Sequence, residues 1–255
     1  MKKAILPVFL FLFSVIIPGT AITGCKNEAR KKKEFTILTY NVRNCRGLDN
    51  VTDYQRVADI INRIDPHIVA LQEIDSATQR SNGVVVLNEI AHLTGMHPTY
   101  GASISYQGGK YGVGILTKDK PLSWTSVPLP GREERRSLLI VELKDAIICC
   151  THFSLTEEDR MESAIIINDL FNESVRPVFL AGDLNATPES AVIKKIEEKW
   201  IMLNDPHIPT FPADNPDRCI DYIFILKGTD AGIIPVKSHM EHEPLASDHL
   251  PVWVK

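Results

Sequence analysis

Polar side chains at the end of one buried apolar segment constrain this chain more than any other feature of its sequence. The run from Val178 to Ala181 predicts a short buried strand, and Gly182 ends it where Asp183 and Asn185 appear. In extended backbone, side chains two positions apart point to the same side. A carboxylate that can take a proton and an amide that can donate to an oxyanion suit attack of water on a phosphate. By itself the pair is also typical of an ordinary turn.

Six more polar residues stand at or beside the ends of predicted strands. They are Asn41, Glu73, His152, Asp221, Asp248 and His249. Taken singly, Glu73 is also compatible with an exposed strand end, and a lone histidine in the position of His152 is more often structural than catalytic. Asp221 interrupts apolar neighbours, and a carboxylate there needs a partner because an unpaired buried charge is unfavourable. A layered fold of helices and strands would bring the whole set to one rim.

The N-terminal residues 1–25 have the pattern of an export signal. Two lysines after Met1 precede an apolar run from Ala4 to Ile17, which is too short to span a bilayer. The segment ends in Ile-Thr-Gly-Cys25, which resembles the lipobox of bacterial lipoproteins. We therefore expect lipidation at Cys25 and a lipid-anchored location in the bacterial cell envelope. The alternative is an ordinary signal peptide with an incidental cysteine.

Charge separates a tether from the folded part. Residues 26–34 are strongly charged and lack an apolar period, which predicts a short tether near anionic lipid. The chain has 28 Lys+Arg and 32 Asp+Glu, of which seven basic side chains and one acidic side chain belong to residues 1–33. The rest of the chain therefore has 21 basic and 31 acidic side chains. A net charge of about −10 weighs against non-specific binding of duplex DNA, which needs basic surfaces.

Cysteine usage indicates neither a disulfide framework nor a zinc site. Beyond Cys25 the chain has Cys45, Cys149, Cys150 and Cys219, without paired Cys-x-x-Cys spacing. We expect mostly buried free thiols, with Cys149 and Cys150 on opposite faces of one strand. A Cys45–Cys219 bridge is the alternative.

Residues 35–255 read as one folded domain of alternating strands and helices. Thr52 and Gln55 have the spacing of a capping box at the start of the first helix. The stretch from Pro98 to Leu143 predicts short strands of an antiparallel meander. The sequence shows neither an internal repeat nor a second domain boundary.

At this point the chain resembles the endonuclease/exonuclease/phosphatase superfamily, which includes deoxyribonuclease I, exonuclease III, inositol polyphosphate 5-phosphatases and bacterial sphingomyelinases. The matching segments occur in the order of that family. They are Thr39-Tyr-Asn41-Val, Leu71-Gln-Glu73, Thr151-His152, Gly182-Asp183-Leu-Asn185, Ile220-Asp221-Tyr and Ser247-Asp248-His249-Leu-Pro-Val. Exonuclease III-like members lack the histidine that corresponds to His152, so this chain is nearer to the deoxyribonuclease I and sphingomyelinase side.

The resemblance implies an α/β (α+β) fold, a two-sheet β-sandwich flanked by helices, in the four layers of deoxyribonuclease I. It implies a hydrolase for phosphoesters that uses Mg²⁺ or Mn²⁺, the hard cations that prefer oxygen ligands. Glu73 is then the main metal ligand, with Asn41 and Asp248 completing or supporting the shell.

The other positions would carry the chemistry. Asp183 would orient or deprotonate the attacking water, and Asn185 would stabilise charge on phosphorus. Asp221 would hold His249 against the phosphate, and His152 would contact the same phosphate or protonate the leaving group. Glu134 is the nearest counterpart of the glutamate that orients the second histidine in deoxyribonuclease I. Arg136 reads equally as a phosphate ligand and as a solvated charge.

The resemblance identifies the substrate only as a phosphoester. We favour a phosphodiesterase for a small or lipid-linked phosphate, acting as a monomer, over a non-specific endonuclease. The alternative of another class is a surface lipoprotein that keeps the hydrolase fold as a binding module. Such a module would be expected to have lost Glu73, Asp183 or His249, and all three are present.

Overall fold

The buried apolar strands of this chain assemble into two sheets that pack face to face. The computed structural model describes residues 35–171, 174–229 and 237–255. The predicted signal segment 1–25 with Cys25, and the predicted tether 26–34, lie outside the described residues. Among those that are described, no helix combines the length and the apolar character needed to cross a membrane.

The first sheet has six strands in the order β11-β12-β1-β2-β4-β3. Its central strands β1 and β2 are parallel, and β1 pairs with β12 in antiparallel register. The strands are β1 (Ile37–Asn41), β2 (Ile68–Ser76), β3 (His97–Tyr106), β4 (Gly109–Thr117), β11 (Ser238–Met240) and β12 (Val252–Val254).

The second sheet also has six strands, in the order β5-β6-β7-β8-β10-β9. Here β7 and β8 are parallel, and β10 runs antiparallel to β8. The strands are β5 (Ser123–Leu129), β6 (Arg136–Glu142), β7 (Ile147–His152), β8 (Val178–Asp183), β9 (Trp200–Met202) and β10 (Asp221–Leu226).

Helices cover the outer face of each sheet. They are α1 (Tyr54–Ile64), α2 (Val86–Thr94), α3 (Glu157–Leu170) and α4 (Ala191–Glu197). One apolar cluster joins α1 and α2 to the first sheet, and another joins α3 and α4 to the second. A third cluster lies between the sheets and takes side chains from both, including Ile37, Ile68, Ile148 and Phe179. The predicted sandwich flanked by helices is confirmed, with its layers in the order helix, sheet, sheet, helix.

The cysteines follow the alternation of the strands. Cys149 packs into the cluster beneath α3 and α4, whereas Cys150 packs between the sheets, because successive strand side chains point to opposite faces. All four cysteines beyond Cys25 are buried free thiols, as the sequence predicts, and the Cys45–Cys219 bridge does not form.

Two details of the sequence prediction are wrong. Helix α1 begins after Asp53, whose carboxylate accepts from the Arg56 backbone N–H at 3.0 Å, so the predicted Thr52–Gln55 box is displaced by one residue. The stretch from Pro98 to Leu143 is not one meander: β3 and β4 belong to the first sheet, and β5 begins the second. Local patterns carry no information on which sheet a hairpin joins, because that depends on distant strands.

Candidate active site

The strand ends that carry polar residues meet at one edge of the sandwich. Asn41 is in register with Gln72 across the parallel pair β1–β2, and His152 is in register with Asp183 across β7–β8. Asp221 begins β10 opposite Asp183. Parallel strands have their carboxyl ends at the same edge of a sheet, and the antiparallel β10 contributes its first residue there.

Asn41 connects the two sheets at this edge. Its side-chain Nδ2 lies 3.0 Å from Glu73 Oε1, 3.1 Å from Asp183 Oδ2 and 3.5 Å from His249 Nε2. Its Oδ1 accepts the backbone N–H of Arg43 at 3.1 Å. Asn41 is fully buried. The amide therefore fixes the relative positions of two carboxylates that lie on different sheets.

Glu73 occupies a bulge in β2. The pairing of β2 with β4 shifts between Leu71 and Ile74, and Glu73 has a φ of 61°, in the left-handed region that a non-glycine residue rarely adopts. Burial raises the pKa of the Glu73 carboxyl, and the neighbouring Asp248 and Asp183 carboxylates raise it further against the hydrogen bond from Asn41. This site would thus be stabilised by a cation beside Glu73.

His249 is held by Asp221. The Nδ1 atom lies 3.0 Å and 3.2 Å from the two Asp221 oxygens, and Thr210 Oγ1 donates to Asp221 Oδ2 at 2.6 Å. The Phe211 ring packs against the imidazole with 4.6 Å between ring centroids. Burial alone would lower the pKa of His249, but the Asp221 and Asp183 carboxylates outweigh it and raise the pKa to about 10. His249 is consequently a buried cation at neutral pH.

His152 has a different partner from the one the sequence suggests. Its Nε2 lies 3.4 Å from Asp183 Oδ2, and its Nδ1 lies 3.3 Å from Arg136 Nη1. Glu134 accepts from Arg136 Nη1 at 2.8 Å, so the expectation that Glu134 orients the histidine is wrong. Burial lowers the pKa of His152 to about 4, with the Arg136 cation lowering it further against the Asp183 anion. His152 is therefore neutral where His249 is charged.

Asn185 lies beside the site in an orientation that the sequence pattern misses. Its φ of 48° breaks the extended backbone after Asp183, and its Nδ2 donates to the Phe153 carbonyl at 3.0 Å. Its backbone N–H donates to Asp183 Oδ1 at 2.9 Å. The extended backbone on which the sequence argument rests ends at Asp183, so the alternation of a strand does not fix the direction of the Asn185 side chain. Nδ2 carries a second hydrogen, so the predicted role of Asn185 at phosphate stays a prediction.

Asp248 lies at the accessible side of the site. Its Oδ2 is 3.5 Å from Arg43 Nε, and its Oδ1 accepts from Ser247 Oγ at 3.3 Å. Sequence reasoning did not single out Arg43 or Thr210. Arg43 lies two positions after Asn41, and this closeness to a site motif is the signal that could have identified it. Thr210 lies in a loop without periodicity, and only the folded structure brings it to Asp221.

The oxygen ligands suit a hard divalent cation at Glu73. The Asp248 and Asp183 carboxylates act electrostatically on the Glu73 carboxyl, and oxygen donors of this kind prefer Mg²⁺ or Mn²⁺. One atom each of Asp183, Asp221 and His249 also lie within 4.8 Å of one another. A protonated His249 bonded to Asp221 has no free lone pair for a metal, so this second cluster is less suited to a cation than the carboxylate of Glu73.

The sequence model of the Endonuclease/Exonuclease/phosphatase family matches residues 38–249. The chain belongs to this family, a family of phosphoesterases and nucleases. The match spans every strand from β2 to β10 and all the site residues described above. No curated protein matches the chain.

Solved structures share the fold. An endonuclease/exonuclease/phosphatase from Beutenbergia cavernae is 24% identical, with a TM-score of 0.72 over 86% of this chain and 70% of that one. A second from Bacteroides vulgatus is 20% identical, with a TM-score of 0.70 over 88% and 98%. A mannosyl-6-phosphatase from Bacteroides thetaiotaomicron is 16% identical, with a TM-score of 0.66 over 87% and 99%. At these identities the likeness concerns the fold alone.

Proposed function

We propose that this chain is a phosphoester hydrolase dependent on Mg²⁺ or Mn²⁺, of phosphodiesterase type, acting on a small, lipid-linked or nucleic-acid phosphate. The observation that carries the proposal is the position of Asn41 Nδ2, within 3.0–3.5 Å of Glu73, Asp183 and His249. This one amide brings together a metal-type carboxylate, a base and a cation, which are the groups that attack of water on a phosphate requires.

Each side chain has a role that follows from its surroundings. Glu73 and Asp248, with Asn41 supporting Glu73 through its Nδ2, would hold the cation, which would supply polarisation of a phosphoryl oxygen and activation of water. Asp183 would orient the attacking water and take its proton, since Asn41 and the two histidines fix its Oδ2. The charged His249 stabilises negative charge on the phosphate. His152 donates a hydrogen bond from Nε2, and Asn185 adds a neutral donor.

The charge of the domain guides the choice of substrate. A net charge of about −10 from residue 34 onward disfavours duplex DNA as the main partner, so a non-specific endonuclease is the second choice. One solved relative is described as a mannosyl-6-phosphatase, so a sugar phosphate belongs in the substrate panel as a monoester.

The proposed location follows from the N-terminal segment. Ile-Thr-Gly-Cys25 supports lipidation after export, and the basic tether suits an anionic membrane surface. We infer a monomeric enzyme anchored in the bacterial cell envelope, which meets its phosphoester substrate at or near the membrane.

The test is hydrolysis of bis(p-nitrophenyl) phosphate, p-nitrophenyl phosphate and mannose 6-phosphate by the full-length chain in detergent. Mg²⁺, Mn²⁺ and EDTA are compared, with Glu73→Gln as the site variant. Glu89→Gln is the matched control, because Glu89 is an exposed helix residue. Supporting results are turnover that EDTA abolishes, that Glu73→Gln lowers at least a hundredfold and that Glu89→Gln leaves unchanged.

Two outcomes would contradict the proposal. Equal turnover by wild type and Glu73→Gln would remove the site assignment. Absence of turnover on the whole panel, extended to phospholipids, RNA and plasmid DNA, would favour the binding module, and calorimetry with Mn²⁺ would then show whether the module keeps the cation.

A further inference from the structure

An ion pair between a buried aspartate and a partly exposed arginine lies close to Glu73, with Asp75 on the same strand and Arg80 in the loop that follows. Asp75 is fully buried, and its two carboxylate oxygens accept from Arg80 at 2.6 Å (Nε to Oδ2) and 2.8 Å (Nη2 to Oδ1). Thr78 Oγ1 donates to Asp75 Oδ2 at 2.7 Å. The pair is bidentate and has a hydroxyl as third partner, so the buried Asp75 carboxylate is held in one orientation.

Two aromatic rings hold the guanidinium in place. The Arg80 Cζ lies 4.7 Å from the ring centroid of Tyr106 and 5.3 Å from that of Tyr111. The backbone N–H of Arg80 also donates to Gln107 Oε1 at 3.0 Å. The Arg80 side chain therefore joins the loop after β2 to the β3–β4 hairpin. This connection lies outside the catalytic residues described above.

The ion pair begins where the bulge at Glu73 ends. After the register shift, β2 resumes its pairing with β4 at Ile74 and Asp75, the latter opposite Tyr111. The carbonyls that flank Glu73 are also bonded: Gln72 O accepts from the Val42 backbone N–H at 3.2 Å, and Ile74 O from Tyr100 Oη at 3.2 Å. A left-handed non-glycine residue persists only where its surroundings determine it.

We propose that Asp75 and Arg80 are positioning residues, which fix the register of β2 after the bulge and thereby hold the Glu73 carboxylate in place for its cation. This inference rests on the proposed function, since it takes Glu73 as a metal ligand. A misplaced bulge would swing Glu73 away from Asn41, because a shift of one residue sends strand side chains to the opposite face. Partners that orient a metal ligand contribute about 10- to 100-fold to metal affinity.

The experiment measures Mn²⁺ affinity of the full-length chain by calorimetry, beside the free energy of unfolding in urea without metal. The main variant is the double change Asp75→Asn with Arg80→Gln, which leaves no lone buried charge. Arg80→Lys is a second variant that keeps the charge and removes the bidentate geometry. Glu142→Gln with Arg176→Gln is the matched control, because it removes a 2.6 Å ion pair from the second sheet. Glu73→Gln identifies the binding that belongs to the site.

We expect the double variant to weaken Mn²⁺ binding at least tenfold, Arg80→Lys to fall between it and wild type, and the control to bind as wild type does. Lower stability with unchanged Mn²⁺ affinity in both Arg80 variants would overturn the positioning role and leave the proposed function intact. Wild type that binds no Mn²⁺, or binds it equally after Glu73→Gln, would overturn both, because the fault would then lie in the metal assignment itself.

Discussion

The Arg136 guanidinium lies against the His152 imidazole, with 3.3 Å between Nη1 and Nδ1. Arginine only donates, so Nδ1 must accept, and the ring hydrogen is then on Nε2, which faces Asp183. This assigns His152 a neutral hydrogen-bonding role, while His249, bonded to Asp221, carries the positive charge of the site. Burial together with the Arg136 cation keeps His152 neutral, whereas the Asp221 and Asp183 carboxylates keep His249 charged.

The first prediction concerns the titration of His152. Arg136→Gln should raise the pKa of His152 above its value of about 4, because it removes a cation that disfavours the imidazolium. Nitrogen-15 NMR of the histidine rings in the metal-free protein measures this directly. Arg132→Gln is the control, since Arg132 lies in the loop before β6 and pairs with Asp159 of α3. An unshifted His152 in Arg136→Gln would show that burial alone keeps the ring neutral.

A second prediction concerns the stability contributed by charged His249. Its folded pKa of about 10 exceeds the ordinary value of 6.5, so this contribution is complete below pH 6.5 and is lost as pH rises through 10. Asp221→Asn should lower the free energy of unfolding by about 3 kcal/mol at neutral pH, since it breaks a buried pair. Urea denaturation at pH 6, 8 and 10.5 should show that the difference in free energy of unfolding between wild type and Asp221→Asn becomes smaller as pH rises. A difference in free energy of unfolding that stays constant with pH would contradict the assignment of charge to His249.

Glu133 provides a third prediction, on the start of α3. Its carboxylate accepts from Ser154 Oγ, from the Leu155 backbone N–H at 2.8 Å and from Thr156 Oγ1 at 3.2 Å. These bonds overcome its partial burial and lower the pKa of Glu133 to about 2. Glu133→Gln should therefore lower the free energy of unfolding by about 1 kcal/mol at pH 7, the usual net value of a hydrogen bond.

The lowered pKa of Glu133 determines how its contribution to stability changes with pH. A lowered folded pKa contributes stability that is present above pH 4.5 and is lost as pH falls through 2. Thermal unfolding of wild type and Glu133→Gln should accordingly converge between pH 5 and pH 2. Glu162→Gln, on an exposed position of the same helix, should match wild type throughout. A difference that grows toward low pH would refute this account.

The last prediction concerns the N-terminal cysteine. Cys25→Ala should leave the protein without lipid, because the thiol is the atom that the lipid would modify. Labelling of expressing cells with radioactive palmitate, followed by membrane fractionation, measures this, and Asn27→Ala serves as the control. Continued labelling of Cys25→Ala would show that another residue carries the lipid.

Much of the site could be predicted from the sequence, because strand ends are local features. An apolar run that ends in a polar residue is visible at Asn41, His152 and Asp183, and the structure places all three at one edge. The layered fold follows from the same alternation, as Cys149 and Cys150 show by packing on opposite faces. The motifs in their order were enough to indicate the family, which the match over residues 38–249 confirms.

Only the tertiary structure decided the partners of those residues. The expected glutamate behind His152 is replaced by Arg136, and Asp221 gains Thr210 from a loop eleven positions earlier in the chain. Glu73 points into the site through a bulge that period-two reasoning does not foresee. The physical reason is that sequence patterns report which face of an element is buried, whereas pKa values and hydrogen bonds depend on atoms brought within about 3 Å by packing of distant segments.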